Sequence, residues 1–201
     1  MTNTITKLPL PQDALNQAFA QARTFNQFTQ APVSDELLKQ TLALAQWGPT
    51  AFNMQPARFV FVKTPQAKAL LKPALMPGNA DKTMAAPVTV IVATDTQFFE
   101  HLPTQFLAMD VQAMFANNAA MSHEAGFRNG TLQGAYLMIA ARLMGLDCGA
   151  MSGFDATAVN AAFFADGRFK ANFLINLGYG DASGNYPRGP RLPFDAIASI
   201  A

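Results

Sequence analysis

Cysteine is almost missing from the 201 residues: Cys148 stands alone, with one tryptophan and two histidines. A lone thiol excludes an intramolecular disulfide framework and a cysteine zinc site, and a free cysteine is expected to be buried and structural. His101 and His123 lie far apart in the chain with no carboxylate or thiol patterned around them, so no metal is expected. Charge is scarce too. Only 13% of residues are charged, the net charge is +1, and no run of lysine or arginine occurs. That excludes a broad nucleic-acid or membrane-surface footprint, while a small anionic ligand held by a few arginines stays open. No apolar stretch is long enough to span a bilayer, since Leu132–Leu146 is broken by Arg142. The first residues lack the apolar core of a signal peptide. The expectation is a cytoplasmic protein acting on a small molecule.

What is abundant is apolar surface, at 50% of residues, enough to imply burial against a partner subunit as well as a core. The length suits one domain, 1–201, with 1–11 flexible. Helices are expected at 12–22 and from Ser34, an N-cap type with Asp35 and Glu36 behind it, to Gln46, where Gly48-Pro49 stops the chain. Strands are expected at 57–64, 86–95 and 172–180, the second apolar on both faces and therefore central. Residues 65–75 read as a short helix, "MPGN" as a loop, 96–121 as unassignable, and 155–165 as a helix. The longest helix runs from Ser122 or His123 to Gly145. With more helices than strands and no strict βαβ alternation, the fold class is α+β, a mixed central sheet flanked by helices.

The long helix contains Gly126, Gly130 and Gly134, each costing about 1 kcal/mol relative to alanine. Such a row admits a close backbone. It reads either as packing within the protomer or as a helix–helix dimer interface, while Leu132, Tyr136, Ile139 and Leu143 line another face.

Familiar catalytic motifs fail on spacing. "GAMSG" (149–153) is not the G-x-S-x-G of a nucleophile elbow. "GYGDASG" (178–184) runs into Tyr186-Pro187 instead of opening a helix, so it is not a dinucleotide fingerprint. Asp110 and Glu124 have no patterned relation as an acid pair. What remains is a series of polar loops: "ARTFNQF" (22–28), "GPTAFNMQP" (48–56), "PGNADK" (77–82), "AMSGFD" (150–155) and "YPRGPRLPF" (186–194). Together they offer donors and acceptors for a ligand with a phosphate, a hydroxylated chain and a flat heterocycle.

In that order the loops resemble the FMN-dependent nitroreductase family, and in particular its small malonic-semialdehyde-reductase branch associated with pyrimidine degradation. The resemblance rests on Ala-Arg-Thr-x-Asn, Trp-Gly-Pro-Thr, Pro-Ala-Arg-Phe-Val-Phe, Gly-Asn, Met-Ser-Gly-Phe-Asp and Gly-Tyr-Gly-Asp, and covers the chain from about residue 20 to 195. It implies a homodimer with two FMN sites at the subunit interface, with residues 186–201 as an arm exchanged between subunits. It further implies ping-pong transfer from NADH or NADPH to a small aldehyde such as malonic semialdehyde, of 3-hydroxypropionate dehydrogenase type, or to nitroaromatics or quinones. A flavin-binding or interaction protein without turnover is the alternative.

Carried over by position, the resemblance puts Arg23 and Thr24 at the FMN phosphate and ribityl chain, with Arg191 and Arg188 on the phosphate. Asn79 would face the pyrimidine edge, and Ser152 and Gly153 would offer amides to N5 and O4. Pro49, Thr50, Ala51 and Asn53 would reach the FMN of the other subunit, while Phe106 and Phe115, with Met109 and Met121, would roof the cleft. No side chain is assigned as the catalytic acid. The family commonly reads Arg-x-Ser-x-Lys/Arg-x-Phe at the first loop, where this chain has Ala22, Thr24 and Asn26. Ala22 removes a phosphate cation. Asn26 removes one near flavin N1/O2, which implies a lower flavin potential.

Overall fold

The computed structural model describes residues 7–201. Part of the segment expected to be flexible, residues 1–6, lies outside the described residues. Nine α-helices are found among those described: α1 (Gln12–Leu15), α2 (Asp35–Ala45), α3 (Pro65–Leu71), α4 (Pro77–Ala85), α5 (Leu102–Gln105), α6 (Gln112–Ala116), α7 (Ala119–Leu143), α8 (Ala156–Phe163) and α9 (Phe194–Ile197). The strands are β1 (Ala57–Val62), β2 (Val88–Asp95), β3 (Asp147–Met151) and β4 (Phe169–Gly178), in the order β1-β2-β4-β3. All three pairings are antiparallel. A mixed sheet was expected; the one parallel pairing among the described residues is the isolated bridge between Thr24 and Cys148.

Alternation along β2 builds the layers. Val88, Val90 and Val92 face a core with Leu38 and Ala45 of α2 and Leu137, Ala140 and Ala141 of α7. Ile91 and Ala93 face the opposite core, with Leu71 of α3 and Val159 of α8. Side chains two apart share a face, so one central strand nucleates both layers. As read from the sequence, β2 is central, and α2 is capped by Ser34, whose hydroxyl accepts from Leu37 N at 3.1 Å. A third cluster, of Met54, Phe98, Leu102, Val111 and Phe115, closes one end.

The structure departs from the sequence reading in four places. β3 is a strand because it pairs with β4 from Asp147↔Gly178 to Met151↔Leu174, a tertiary event with no local signature. "MPGN" opens α4: Pro77 stands at its first turn, where its missing N–H costs nothing. Residues 96–121 form a 3₁₀ turn (Phe98–His101), α5 and α6, and α7 starts at Ala119 because Asn118 caps Met121 N at 3.0 Å. The chain after α1 continues as a π turn, Asn16–Ala20.

The glycine row belongs to the protomer. A Cβ on Gly126 or Gly130 would stand 3.0 or 3.1 Å from Thr94, and one on Gly134 would overlap the Phe173 ring with Val92 Cγ1 at 3.2 Å. The row therefore lets α7 lie on β2 and β4 and does not form a helix–helix interface. The helix's other face leaves Phe127, Leu132, Tyr136 and Leu143 exposed. Cys148 is buried, and burial pushes its thiol up to about 12, the inert state expected. Among the described residues no helix is long and apolar enough to cross a membrane.

Replacing Gly134 by alanine sets a helix-propensity gain of about 1 kcal/mol against an overpacking cost of roughly 1–3 kcal/mol. The expected net result is a loss of about 1 kcal/mol of stability in denaturant titration. Leu132→Ala on the exposed face should leave the isolated protomer's stability nearly unchanged.

Candidate functional site

The first polar loop is held at the sheet's edge by two isolated bridges. Thr24 bridges Cys148, Phe25 N donates to the Cys148 carbonyl at 3.0 Å, and Phe28 bridges Gly180. A Cβ on Gly149 would stand 2.5 Å from the Phe25 carbonyl oxygen, so only glycine permits this approach. The loop, the end of α7 and the tail enclose a cavity of about 440 Å³, with Arg23, Thr24, Asn26, Arg142, Arg188 and Arg191 in its lining. No carboxylate lines it. Arg23 donates to the Tyr186 carbonyl and Arg188 to the Ala22 carbonyl at 2.9 Å, so the tail's first residues rest on their own protomer. From Leu192 onward the tail exposes Leu192, Phe194, Ile197 and Ile200.

Asn26 and Tyr186 also line a second cavity, of about 550 Å³, which adds Gly78, Asp81 and Lys82 from α4. There Lys82 Nζ donates to Asn26 Oδ1 at 3.4 Å. A cation from α4 thus stands beside position 26, where the chain itself has an asparagine. One helical turn earlier, Asn79 donates to the Gly153 carbonyl at 2.8 Å, and Met76 N to the same oxygen at 3.2 Å. A Cβ on Gly153 would overlap the Asn79 amide. Asn79, Ser152 and Gly153 therefore form one edge, with Lys82 a turn along.

Behind that edge lies a buried cation. Lys68, 4% exposed, donates to the Thr83 carbonyl and to Thr89 Oγ1, both at 2.7 Å. Thr89 donates to Asn176 Oδ1 at 2.7 Å, and the Asn176 amide reaches the Lys82 carbonyl at 3.4 Å. Lys68 thereby ties the C-terminal end of α4 to the sheet, where a cation complements the helix dipole. Burial pushes its pKa down from 10.5 to about 8.

The turn 48–56 stands apart: Pro49, Thr50, Ala51 and Asn53 line neither cavity. Its backbone is unusual, with Phe52, Asn53 and Gln55 at φ of 51°, 49° and 41°. Three non-glycine residues in the left-handed region are strained and persist only where surroundings fix them. Here Ala51 N donates to Asn129 Oδ1 at 2.9 Å, Gln55 N to Thr50 Oγ1 at 3.2 Å, and Asn53 to the Gln105 carbonyl at 3.0 Å. The Gln55 amide joins Asn53 Oδ1 and Gln105 Oε1 at 3.0 and 2.9 Å. Phe52 stands edge-on to Phe106 and Phe115, centroids 5.3 and 5.9 Å apart. Phe115 is 3% exposed and belongs to the core, while Phe106 is half-buried at its margin.

Other sequence candidates resolve into structure. Asp110 caps Gln112 N, Glu124 pairs with Arg128, and His101 stands 3.8 Å from Asp95. Among the described residues no cluster of His, Cys, Asp or Glu could hold a metal ion. Lys82 reads from the sequence only as a polar group of the 77–82 loop, with no role, and Arg142 is passed over. Lys82 is one turn past Asn79, a relation visible only once 77–85 is a helix; Arg142 is a cation in an otherwise apolar helix face, a signal that was available.

A set of arginines without a lining carboxylate among the described residues, beside an amide edge on this α+β fold, has the chemistry that suits a phosphorylated, hydrogen-bonding ligand. The chain belongs to the nitroreductase family, whose model matches residues 19–179. A relative from Burkholderia lata is 56% identical over 191 residues, 95% of this chain and 98% of that one; another, from Stenotrophomonas maltophilia, is 57% identical over 188 residues, 94% and 96% of the two chains. Both carry the provisional name NADH dehydrogenase/NAD(P)H nitroreductase. A Bacillus subtilis structure provisionally named a nitroreductase matches at a TM-score of 0.84 and 22% identity, over 95% of this chain and 100% of that one. One from Exiguobacterium sibiricum, similarly named and solved in complex with FMN, matches at 0.80 and 22%, over 98% and 100%. At these identities the likeness concerns the fold.

The Lys68 network carries a pH signature. The folded protein gives up this proton near pH 8, whereas the unfolded chain keeps it to about 10.5. Below pH 8 both states are charged and the cost of burial is present in full. Stability contributed at Lys68 therefore rises as pH climbs from about 8 to about 10.5. Urea unfolding across that range should show the rise in the parent protein and its loss in Lys68→Met.

Proposed function

We propose that the protein is an FMN-dependent NAD(P)H oxidoreductase, a homodimer that reduces a small aldehyde such as malonic semialdehyde and also accepts nitroaromatics or quinones. The observation that carries this reading is the continuity of the four-arginine cavity with the Asn26–Lys82 pair at shared residues Asn26 and Tyr186. The donor set fits the group: cations without a carboxylate for a phosphate, hydroxyl and amide groups for a ribityl chain, and an amide edge for a heterocycle. The family, and the names of the relatives, support the same chemistry.

Bound FMN supplies acceptance of a hydride at N5 from NADH or NADPH and its transfer to a second substrate. Arg23, Arg188 and Arg191 hold the phosphate and Thr24 the ribityl chain. Asn79 would take the pyrimidine edge, and Ser152 and Gly153 would offer backbone N–H groups to the ring's polar edge. Lys82, with Asn26 beside it, would supply positive charge to the end of the ring that gains negative charge when reduced. Pro49, Thr50, Ala51 and Asn53 complete the partner's site; Phe52 and Phe106 border the acceptor's space, with Phe115 packed behind them. The exposed face of α7 and the apolar tail from Leu192 onward suit a subunit interface with an exchanged arm.

The test is reconstitution with FMN, anaerobic reduction by NADH or NADPH, and reoxidation by malonic semialdehyde, a nitroaromatic and a quinone. Failure to bind FMN overturns the reading; a reduced flavin that no acceptor reoxidises leaves a flavin-binding protein without turnover. Sedimentation of the FMN-loaded protein as a monomer contradicts the shared site.

The position of Lys82 revises what Asn26 implies for the flavin potential. Lys82→Met should weaken reduced FMN about tenfold more than oxidised FMN, the size of one charge-assisted hydrogen bond. Asn26→Lys should shift that ratio less, since a cation already stands there; potentiometric titration reads both.

A further inference from the structure

We propose that Arg142, in the last turn of α7, binds the phosphate of the ligand directly, supplying from the helix the cation that Ala22 does not supply from the loop. The inference rests on the flavin reading above and adds a residue to it.

Arg142 lines the same cavity as Arg23, Arg188 and Arg191, and Ala22 lines it too. The methyl of Ala22 leaves volume there that a longer side chain would fill. The four arginines differ in their anchoring. Arg23 is joined to the Tyr186 carbonyl, Arg188 to the Ala22 carbonyl, and Arg191 to its neighbouring carbonyls of Gly189 and Pro190 at 3.0 and 3.3 Å. All three sit on irregular backbone. Arg142 alone stands on a regular helix of 25 residues.

Two contacts fix it there. Gln17 Nε2 donates to the Arg142 carbonyl at 2.6 Å, and Arg142 Nη1 donates to the Ala18 carbonyl at 3.2 Å. A guanidinium carries five N–H donors in a planar fork; the Ala18 carbonyl and the neighbouring Cys148 thiol orient the group and take part of the fork, and further donors are left for an anion. An arginine in a helix's last turn also complements the dipole and caps carbonyls. That role explains the bond to Ala18. It does not require a cavity shared with three further arginines and no carboxylate.

FMN and riboflavin differ only by the phosphate, so paired titrations of apoprotein by fluorescence quenching separate the two roles. With Arg142→Ala, FMN affinity should fall roughly tenfold to a hundredfold, while riboflavin affinity stays within about twofold of the parent. Adding Ala22→Arg to that variant should recover most of the FMN affinity and leave riboflavin unaffected. Equal weakening of both flavins, or no weakening of either, overturns the proposal. If Arg142→Ala does not fold, Arg142→Gln keeps a donor for the Ala18 carbonyl and is read by the same ratio. A parent protein that binds neither flavin overturns the flavin reading alone. Calorimetry with inorganic pyrophosphate then decides on Arg142: binding that Arg142→Ala weakens at least about tenfold supports the anion site, and binding that is unchanged or absent in the parent overturns it.

Discussion

The main-chain bonds between residues 24–28 and the ends of β3 and β4 organise the site. Thr24 against Cys148 and Phe28 against Gly180 pin a polar loop to the sheet's edge, and the missing side chain of Gly149 sets how close it comes. Once Phe25 is fixed, Arg23 and Thr24 face the tail and Asn26 faces α4. The tail closes from the other side through carbonyls of Ala22 and Tyr186. A change at the seam would displace the arginines without touching one.

The electrostatics of the site are lopsided. Arg23, Arg142, Arg188 and Arg191 share a cavity in which no described residue offers a carboxylate, Lys82 stands in the adjoining one with Asp81 and Asp181, and Lys68 is buried behind α4 against neutral oxygens. Elsewhere a carboxylate is shared between cations: Asp95 is held by both Arg58 and Arg168. Like charges gathered without counter-ions destabilise an empty protein, and the cost is offset when an anion binds.

Much of this was legible in the residues. Ser34 with Asp35 and Glu36 announced α2, and the unbroken apolar run after Ala86 announced a central strand. The loops were legible as an ordered series, because their chemistry is local. What escaped depends on partners distant in the chain. β3 is five residues whose strand character comes from β4. "PGN" carries turn residues, yet Pro77 serves as a helix start, and with α4 unseen the one-turn relation of Asn79 to Lys82 was lost. The glycine row showed that something comes close to α7; that it is Thr94 and Phe173 rather than another helix is a fact of tertiary packing.

The turn 48–56 and the segment above it are one mechanical piece. Asn53 and Gln55 are tied to Gln105, and Phe52 is wedged against Phe106 and Phe115, so the three left-handed residues are held by contacts from α5 and α6. Recombination between relatives must respect that joint. A chimaera that imports residues 98–116 without 50–55 would separate a strained turn from its clamp, and its backbone would relax out of the shape that Pro49 and Pro56 bracket. The two segments hold their shape as a pair.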